Sequence, residues 1–228
     1  MKYTLANPTL DTQIVEIKRK IRLSMNGIVS GQMVQNGIIY KKNFGVSIPR
    51  IKEIASLYTP NHDLAQRLWD LQIRETMILA TLLEPKASFD IRVASEMVGS
   101  FQQLEIAEQA SMNLFSKVNE SVVISKEWVQ SKEEWIQITG FMVAARIYDL
   151  LTKADIEFII QEALKATDTD NFHLYKAVGL CLSRFCRKDT ETSAYILKEI
   201  EAISQTTSKG QSYISNEVKQ EILFLNNL

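Results

Sequence analysis

Residues 43–83 read NFGVSIPRIKEIASLYTPNHDLAQRLWDLQIRETMILATLL, and this stretch gives the strongest indication of the fold. Its apolar residues recur every three or four positions, which is the spacing of amphipathic helices. Pro49 suits the first turn of a helix, Pro60 ends that helix, and Asn61 begins the next one. The stretch therefore predicts two or three short amphipathic helices in succession.

The rest of the chain has the same periodicity. Ile14, Ile17, Ile21 and Met25 form one apolar stripe of a helix within residues 11–29. The glycine-containing segment that follows is predicted to be a loop or a broken helix. Further helices are predicted over residues 62–71, 73–83, 89–98, 104–117, 125–130, 132–151, 153–166, 171–187, 191–203 and 213–225.

These helices, with short connectors and only 8 Gly and 4 Pro, predict an all-α protein built as a stack of helix pairs. We expect one domain over residues 1–228, with basic N-terminal helices over 1–58 and helical-pair repeats over 59–228. A capping box is predicted at residues 131–134, and Thr152 is predicted to cap the helix that follows it.

The composition narrows the class of protein. Cys181 and Cys186 lie five apart in one predicted helix, a geometry that disfavours a disulfide between them. Two thiols and no signal-peptide pattern predict a cytoplasmic location. No apolar run approaches the roughly 20 residues of a membrane span. His62 and His173 have no partner at metal-ligand spacing, and no phosphate-binding motif occurs, so neither metal nor cofactor is expected.

Charge is distributed unevenly although the net charge is −1. Residues 1–58 contain 9 Lys/Arg against three carboxylates, a balance of +6, and the remainder has a balance of −7. A positive face would attract phosphate through counterion release. The alternative is that the N-terminal helices have solvated basic faces.

The best candidate for contact with a polyanion is a cluster of basic and aromatic residues early in the chain. Basic side chains interleaved with aromatic rings suit phosphate contact combined with base stacking. The alternative is a solvated loop followed by a helix with a charged outer face. The candidate nucleic-acid-binding residues are Tyr40, Lys41, Lys42, Arg50 and Lys52.

A family resemblance adds a functional hypothesis. It is carried by Phe44-Gly45-Val46 before Pro49, Lys52-Glu53-Ile54-Ala55, Leu68-Trp69, and Arg74-Glu75 leading into Leu79-Ala80. With these residues the chain resembles the opening repeats of the AlkD-like DNA alkylation repair family. The resemblance implies a right-handed α–α superhelix (solenoid) of HEAT-like repeats whose concave groove binds double-stranded DNA. We interpret Arg74-Glu75 as a buried ion pair rather than as a catalytic one.

The family's glycosylases hold a cationic nucleoside against aromatic rings and stabilise the developing sugar charge with a carboxylate. Matched to this sequence, the family's first motif falls on residues 104–108, where Leu104 replaces the aromatic residue and Glu108 replaces the catalytic Asp. The second motif falls on residues 135–138, with Gln137 and Ile138 in place of two arginines. The third places Leu180 where a Trp is expected, and Ser183 where an Arg is expected.

The scaffold therefore resembles the family, whereas its site residues are mostly replaced. We expect a DNA-binding protein with weak or no alkylpurine excision. Two alternatives stay open: an active glycosylase that uses Glu108 as its charge-stabilising carboxylate, and a scaffold for a protein partner that kept only the fold. Whether the protein is an enzyme, and its oligomeric state, are left open by the sequence.

Overall fold

The computed structural model describes residues 6–87, 89–203 and 208–227. These ranges contain thirteen α-helices and one 3-10 helix, and their only β-type feature is an isolated bridge between Lys42 and Ile73. The helices are α1 Pro8–Leu23, α2 Gly27–Gln35, α3 Ile48–Ala55, α4 His62–Asp70, α5 Arg74–Leu83, α6 Ile91–Gly99, α7 Leu104–Asn113, the 3-10 helix Phe115–Lys117, α8 Ser121–Trp128, α9 Glu134–Arg146, α10 Lys153–Lys165, α11 Phe172–Phe185, α12 Thr190–Ile203 and α13 Lys209–Asn226.

The chain divides into two compact units, unit 1 (Met1–Phe89) and unit 2 (Asp90–Leu228). The all-α prediction is confirmed, while the single domain over 1–228 stays a prediction. Among the described residues, no helix is long and apolar enough to cross a membrane.

Unit 1 is built around α5. This helix packs against α3 and α4, and α1 packs against both of them. Nearly every residue of α5 is buried, including the charged pair Arg74 and Glu75 at its start. Apolar faces of the other helices complete the core, for example Ile17, Ile51 and Leu68, which are all fully buried. Unit 1 thus places a charged pair within an apolar core.

The predicted helix over residues 11–29 is wrong, because the chain breaks into α1 and α2. Helix α1 ends at Leu23, and the Asn26 side chain accepts a hydrogen bond from the Val29 N–H to start α2. Met25 lies in the break and is 64% exposed, so it does not extend the apolar stripe. Helix α2 buries none of its residues and contains no charged one.

Unit 2 has two layers of helices, with α6 packed against α9. Helices α7, α9, α11 and α13 pack side by side in that order, and α8, α10 and α12 form the second layer. Gly140 permits one close approach between them: a Cβ there would lie 2.7 Å from the Val129 nitrogen and 2.8 Å from Trp128 atoms. The consecutive pairs α8–α9, α10–α11 and α12–α13 are the helix pairs that the sequence predicts.

The two predicted helix caps have different outcomes. The Thr152 cap is confirmed as a full capping box, in which Thr152 and Asp155 each accept from the other's backbone N–H. The capping box at residues 131–134 is wrong, because α9 has Glu133 at its N-cap with no side-chain capping bond. Ser131 instead accepts from the Glu133 N–H at 3.1 Å, which forms a local turn.

Candidate nucleic-acid interface

The basic segment of unit 1, residues 40–44, lies at the surface as the sequence predicts. Lys41 and Lys42 are exposed and Tyr40 is half-buried. The Lys42 ammonium lies 5.1 Å from the centre of the Phe44 ring, a cation–π contact. A small cavity of about 80 Å³ beside it is also lined by Lys18 and Arg22, so α1 adds two cations to this segment.

Arg50 and Lys52 lie nearby in sequence on the exposed face of α3. Arg50 donates to the Ser24 hydroxyl at 3.1 Å and forms an exposed ion pair of 2.7 Å with Glu53. An exposed ion pair contributes only about 0–1 kcal/mol, so the Arg50 guanidinium can exchange Glu53 for a phosphate at small cost.

The predicted ion pair Arg74–Glu75 is present and holds the basic segment in place. The fully buried Glu75 carboxylate accepts from the backbone N–H groups of Phe44 and Val46, each at 3.2 Å. Arg74 Nη1 donates to Glu75 at 3.1 Å and to the Val46 carbonyl at 2.9 Å. A structural role for the pair is therefore sufficient to explain its burial.

Gly45 lets this segment lie directly against α2. Its φ of +68° is in the left-handed region, and a Cβ there would lie 2.1 Å from the Asn26 carbonyl oxygen. The Asn26 N–H donates to the Phe44 carbonyl at 2.8 Å, and the Ser30 hydroxyl donates to the Asn43 carbonyl at 3.0 Å. The backbone of the basic segment is thus fixed on two sides.

In unit 2, three cations from α9 and α11 lie on the layer formed by α7, α9, α11 and α13. We call Lys176, Arg146 and Arg184 the cationic cluster. Arg146 and Arg184 line a cavity of about 390 Å³ together with Leu180 and Met112. Lys176, Leu180 and Arg184 are spaced four residues apart on α11, so they share one face of that helix.

Glu108 of α7 belongs to the same neighbourhood. Partial burial raises the pKa of its carboxyl, and the charges of Arg146 and Lys176 oppose part of the rise that burial and Glu105 produce. Burial likewise lowers the pKa of the Arg146 guanidinium, an effect that Glu108 opposes and Arg184 reinforces. Both shifts agree that loss of solvent outweighs the attraction between Glu108 and Arg146.

The other positions matched to the family site differ in their surroundings. Leu104 is half-buried at the start of α7, and Leu180 lines the cavity beside the two arginines. Gln137 donates its amide N–H to the Val129 carbonyl at 3.1 Å, which ties it to the end of α8. Ile138 is fully buried, so this position supplies packing and no ligand contact.

Both histidines have structural partners. His62 Nδ1 lies 2.6 Å from the Glu84 carboxylate, and His173 stacks on Trp135 with 5.1 Å between ring centres. Within the described ranges, no group of three His, Cys, Asp or Glu side chains is placed to hold a metal ion.

A model of the family described as DNA alkylation repair enzyme matches residues 30–210, most of the sequence. The chain belongs to the DNA alkylation repair enzyme family. The resemblance found in the opening repeats is thereby confirmed, and it extends into the second half, where the sequence motifs are weak. No curated protein matches the sequence significantly.

The fold of this DNA alkylation repair family protein is similar to a solved structure described as belonging to "a new family of proteins related to the HEAT-like repeat DNA glycosylases with affinity for branched DNA structures". The TM-score is 0.78 with 11% sequence identity, and the match covers 91% of this chain and 92% of the other. The predicted fold class, an all-α protein of HEAT-like helical repeats, is confirmed by this likeness.

The two arginines of the cationic cluster, Arg146 and Arg184, were not identified from the sequence. The motif positions expected to hold arginine are Gln137, Ile138 and Ser183, yet Arg184 directly follows the last of these. Ser183 is buried and donates to the Leu180 carbonyl at 3.0 Å, so Arg184 takes the outward-facing position. The four-residue spacing along α11 was the available signal.

Proposed function

We propose that this DNA alkylation repair family protein binds DNA of altered geometry, damaged or branched, with weak or no excision of alkylated bases. The contacts run mainly to phosphates and depend on the shape of the DNA rather than on base sequence. The groove expected for HEAT-like repeats is the proposed binding face, and a cytoplasmic location is part of the same proposal.

The observation that carries the proposal is the cationic cluster beside Leu180. Arg146 and Lys176 act on the charge of Glu108, and Arg184 lines the same cavity as Arg146. Burial deprives the Arg146 guanidinium of part of its solvent. A phosphate group pairs with the Arg146 guanidinium better than water does, since arginine binds phosphate through two parallel hydrogen bonds. The basic segment of unit 1, taken by itself, also has exposed cations that suit phosphate contact.

The same surroundings are unfavourable for base excision. Leu104 and Leu180 have no π-face, so two cation–π contacts worth about 0.5–2 kcal/mol each are missing. The negative charge of Glu108 already interacts with Arg146 and Lys176. This interaction reduces the electrostatic stabilisation that Glu108 can give to a developing sugar cation. These features favour binding over turnover.

Affinity for branched DNA is ascribed to the structurally similar protein and extends to this chain only as part of the proposal. It agrees with the chemistry here, because a branch point brings phosphates of several strands close together. A cluster of cations gains most from such a ligand.

The test is fluorescence anisotropy with a labelled three-way junction, an intact duplex and a duplex carrying a stable abasic mimic, each at two salt concentrations. We expect salt-sensitive binding with the junction or the mimic preferred over the intact duplex. Equal affinity for all three DNAs would show non-specific binding and contradict the preference for DNA of altered geometry. No binding even at low salt would end the DNA proposal.

A second candidate function is excision that depends on Glu108. We expect release of alkylpurines from DNA to stay near background for the wild-type protein and for Glu108→Gln alike, with Glu105→Gln as the control one turn away. Turnover that Glu108→Gln alone abolishes would favour the enzyme. Such turnover would rise from acid toward neutral pH, because the ionised carboxylate acts and burial raises its pKa.

A third candidate, a scaffold for a protein partner, is favoured by a groove in unit 2. It has a volume of about 840 Å³ between α10 and α12, and cations and carboxylates both line it, including Lys153, Glu157 and Lys165. Mixed charge suits a protein surface better than DNA. This candidate takes precedence if no DNA binds.

A further inference from the structure

Five aromatic rings form a continuous row in unit 2. Trp135 stacks on His173 with 5.1 Å between ring centres, and His173 meets Phe172 at 5.7 Å. Phe172 in turn meets Tyr175 at 5.6 Å, and Tyr175 meets Tyr213 at 5.0 Å. The row connects the start of α9, the first turn of α11 and the start of α13.

This row is separate from the apolar core. The phenylalanines of the core, such as Phe115, Phe141 and Phe185, are fully buried. Phe172 is 51% exposed, and the other four rings of the row are half-buried. Phe172 is the middle ring of the row, its two ring neighbours meet it edge-on, and it is the one ring of the five that is exposed.

A cation accompanies the rings. The Lys176 ammonium lies 5.1 Å from the centre of the Phe172 ring and 5.7 Å from that of Tyr213. Lys176 also interacts electrostatically with Glu108 and belongs to the cationic cluster. The row is therefore continuous with the surface to which phosphate binding is ascribed above.

We propose that the aromatic row is a stacking platform for unpaired nucleotides, so that the preferred DNA contains a single-stranded arm. The inference rests on the proposed DNA binding and names its ligand more closely. Bases of a closed duplex already stack on one another, whereas an unpaired base has a free face for Phe172. Lys176 then neutralises the phosphate that follows the stacked base.

Only Trp135 lies in a segment matched to the family's site. Phe172, His173, Tyr175 and Tyr213 lie outside all of those segments. The platform would thus add a ligand contact that the family's motif positions do not provide.

The first measurement uses the wild-type protein and two labelled three-way junctions, one fully paired and one with an unpaired arm carrying 2-aminopurine. Stacking on an aromatic side chain quenches 2-aminopurine fluorescence. We expect quenching on binding, and tighter binding of the junction with the unpaired arm. Binding of both junctions with equal affinity and no quenching would overturn the platform while leaving the DNA-binding function intact.

The second measurement compares Phe172→Leu with Phe224→Leu. Phe224 is a matched control, since it is 54% exposed on α13 of the same unit. Loss of one base-stacking contact should lower the preference for the unpaired arm by roughly tenfold in Phe172→Leu. Phe224→Leu should retain the wild-type preference.

The remaining outcomes are also decisive. A Phe172→Leu protein with wild-type melting temperature and wild-type preference would overturn the inference. Should that variant fold poorly, the 2-aminopurine signal of the wild-type protein decides alone. Failure of the wild-type protein to bind either junction would instead overturn the proposed function.

Discussion

Replacing Arg146 and Arg184 together by glutamine is expected to weaken junction binding by at least about tenfold and to lower its salt dependence. The slope of the logarithm of affinity against the logarithm of salt concentration should fall by about 2, one for each lost phosphate contact. The loss is large because removing both guanidiniums also leaves the charge of Glu108 less balanced, so that the carboxylate repels the phosphates.

Arg92→Gln is the matched control for this experiment. Arg92 lies in the same unit, but its side chain is 88% exposed and its charge pairs with Asp90 at 2.8 Å. Its replacement should change affinity by no more than about twofold, as is usual for an exposed site. If the double variant kept the wild-type salt dependence and melting temperature, the cationic cluster would not contact DNA.

The helices of residues 43–83 could be predicted because their signals are local. Pro49 lies in the first turn of α3, Asn61 caps α4, and α4 and α5 begin or end within about one residue of their predicted bounds. The predicted end of α3 at Pro60 is wrong, because α3 ends at Ala55. The break between α1 and α2 was missed although the Asn26 cap is also local. The apolar stripe continues through Met25, and periodicity alone does not show that the Met25 side chain is largely exposed.

The candidate site was less predictable, because it depends on packing between distant helices. Lys42 and Arg50 were recognised as surface cations from their neighbours in sequence, and they are exposed. Arg146 and Arg184 lie on different helices, and only the packing of α9 against α11 brings them together. Motif matching puts Ser183, which is buried, where the family has arginine, whereas Arg184 lies one residue further on, a step that turns a helix by about 100°.

Replacing Glu75 by glutamine is expected to lower the free energy of unfolding by about 3 kcal/mol, since it removes the buried carboxylate with which the Arg74 guanidinium pairs. Glutamine also turns one acceptor oxygen into an N–H donor, which then faces the backbone N–H groups of the basic segment instead of accepting from them. Urea unfolding followed by circular dichroism measures the loss.

Glu53→Gln provides the matched control in the same unit. It removes a carboxylate that also pairs with an arginine, at 2.7 Å, but in solvent, so its cost should stay below about 1 kcal/mol. The difference in stability loss between Glu75→Gln and Glu53→Gln then reports the effect of burying the carboxylate. Because Glu75 fixes the backbone that carries Lys42, Glu75→Gln should also weaken DNA binding. An equally small loss of stability in both variants would contradict the prediction and show that water hydrogen-bonds to the backbone N–H groups that Glu75 releases.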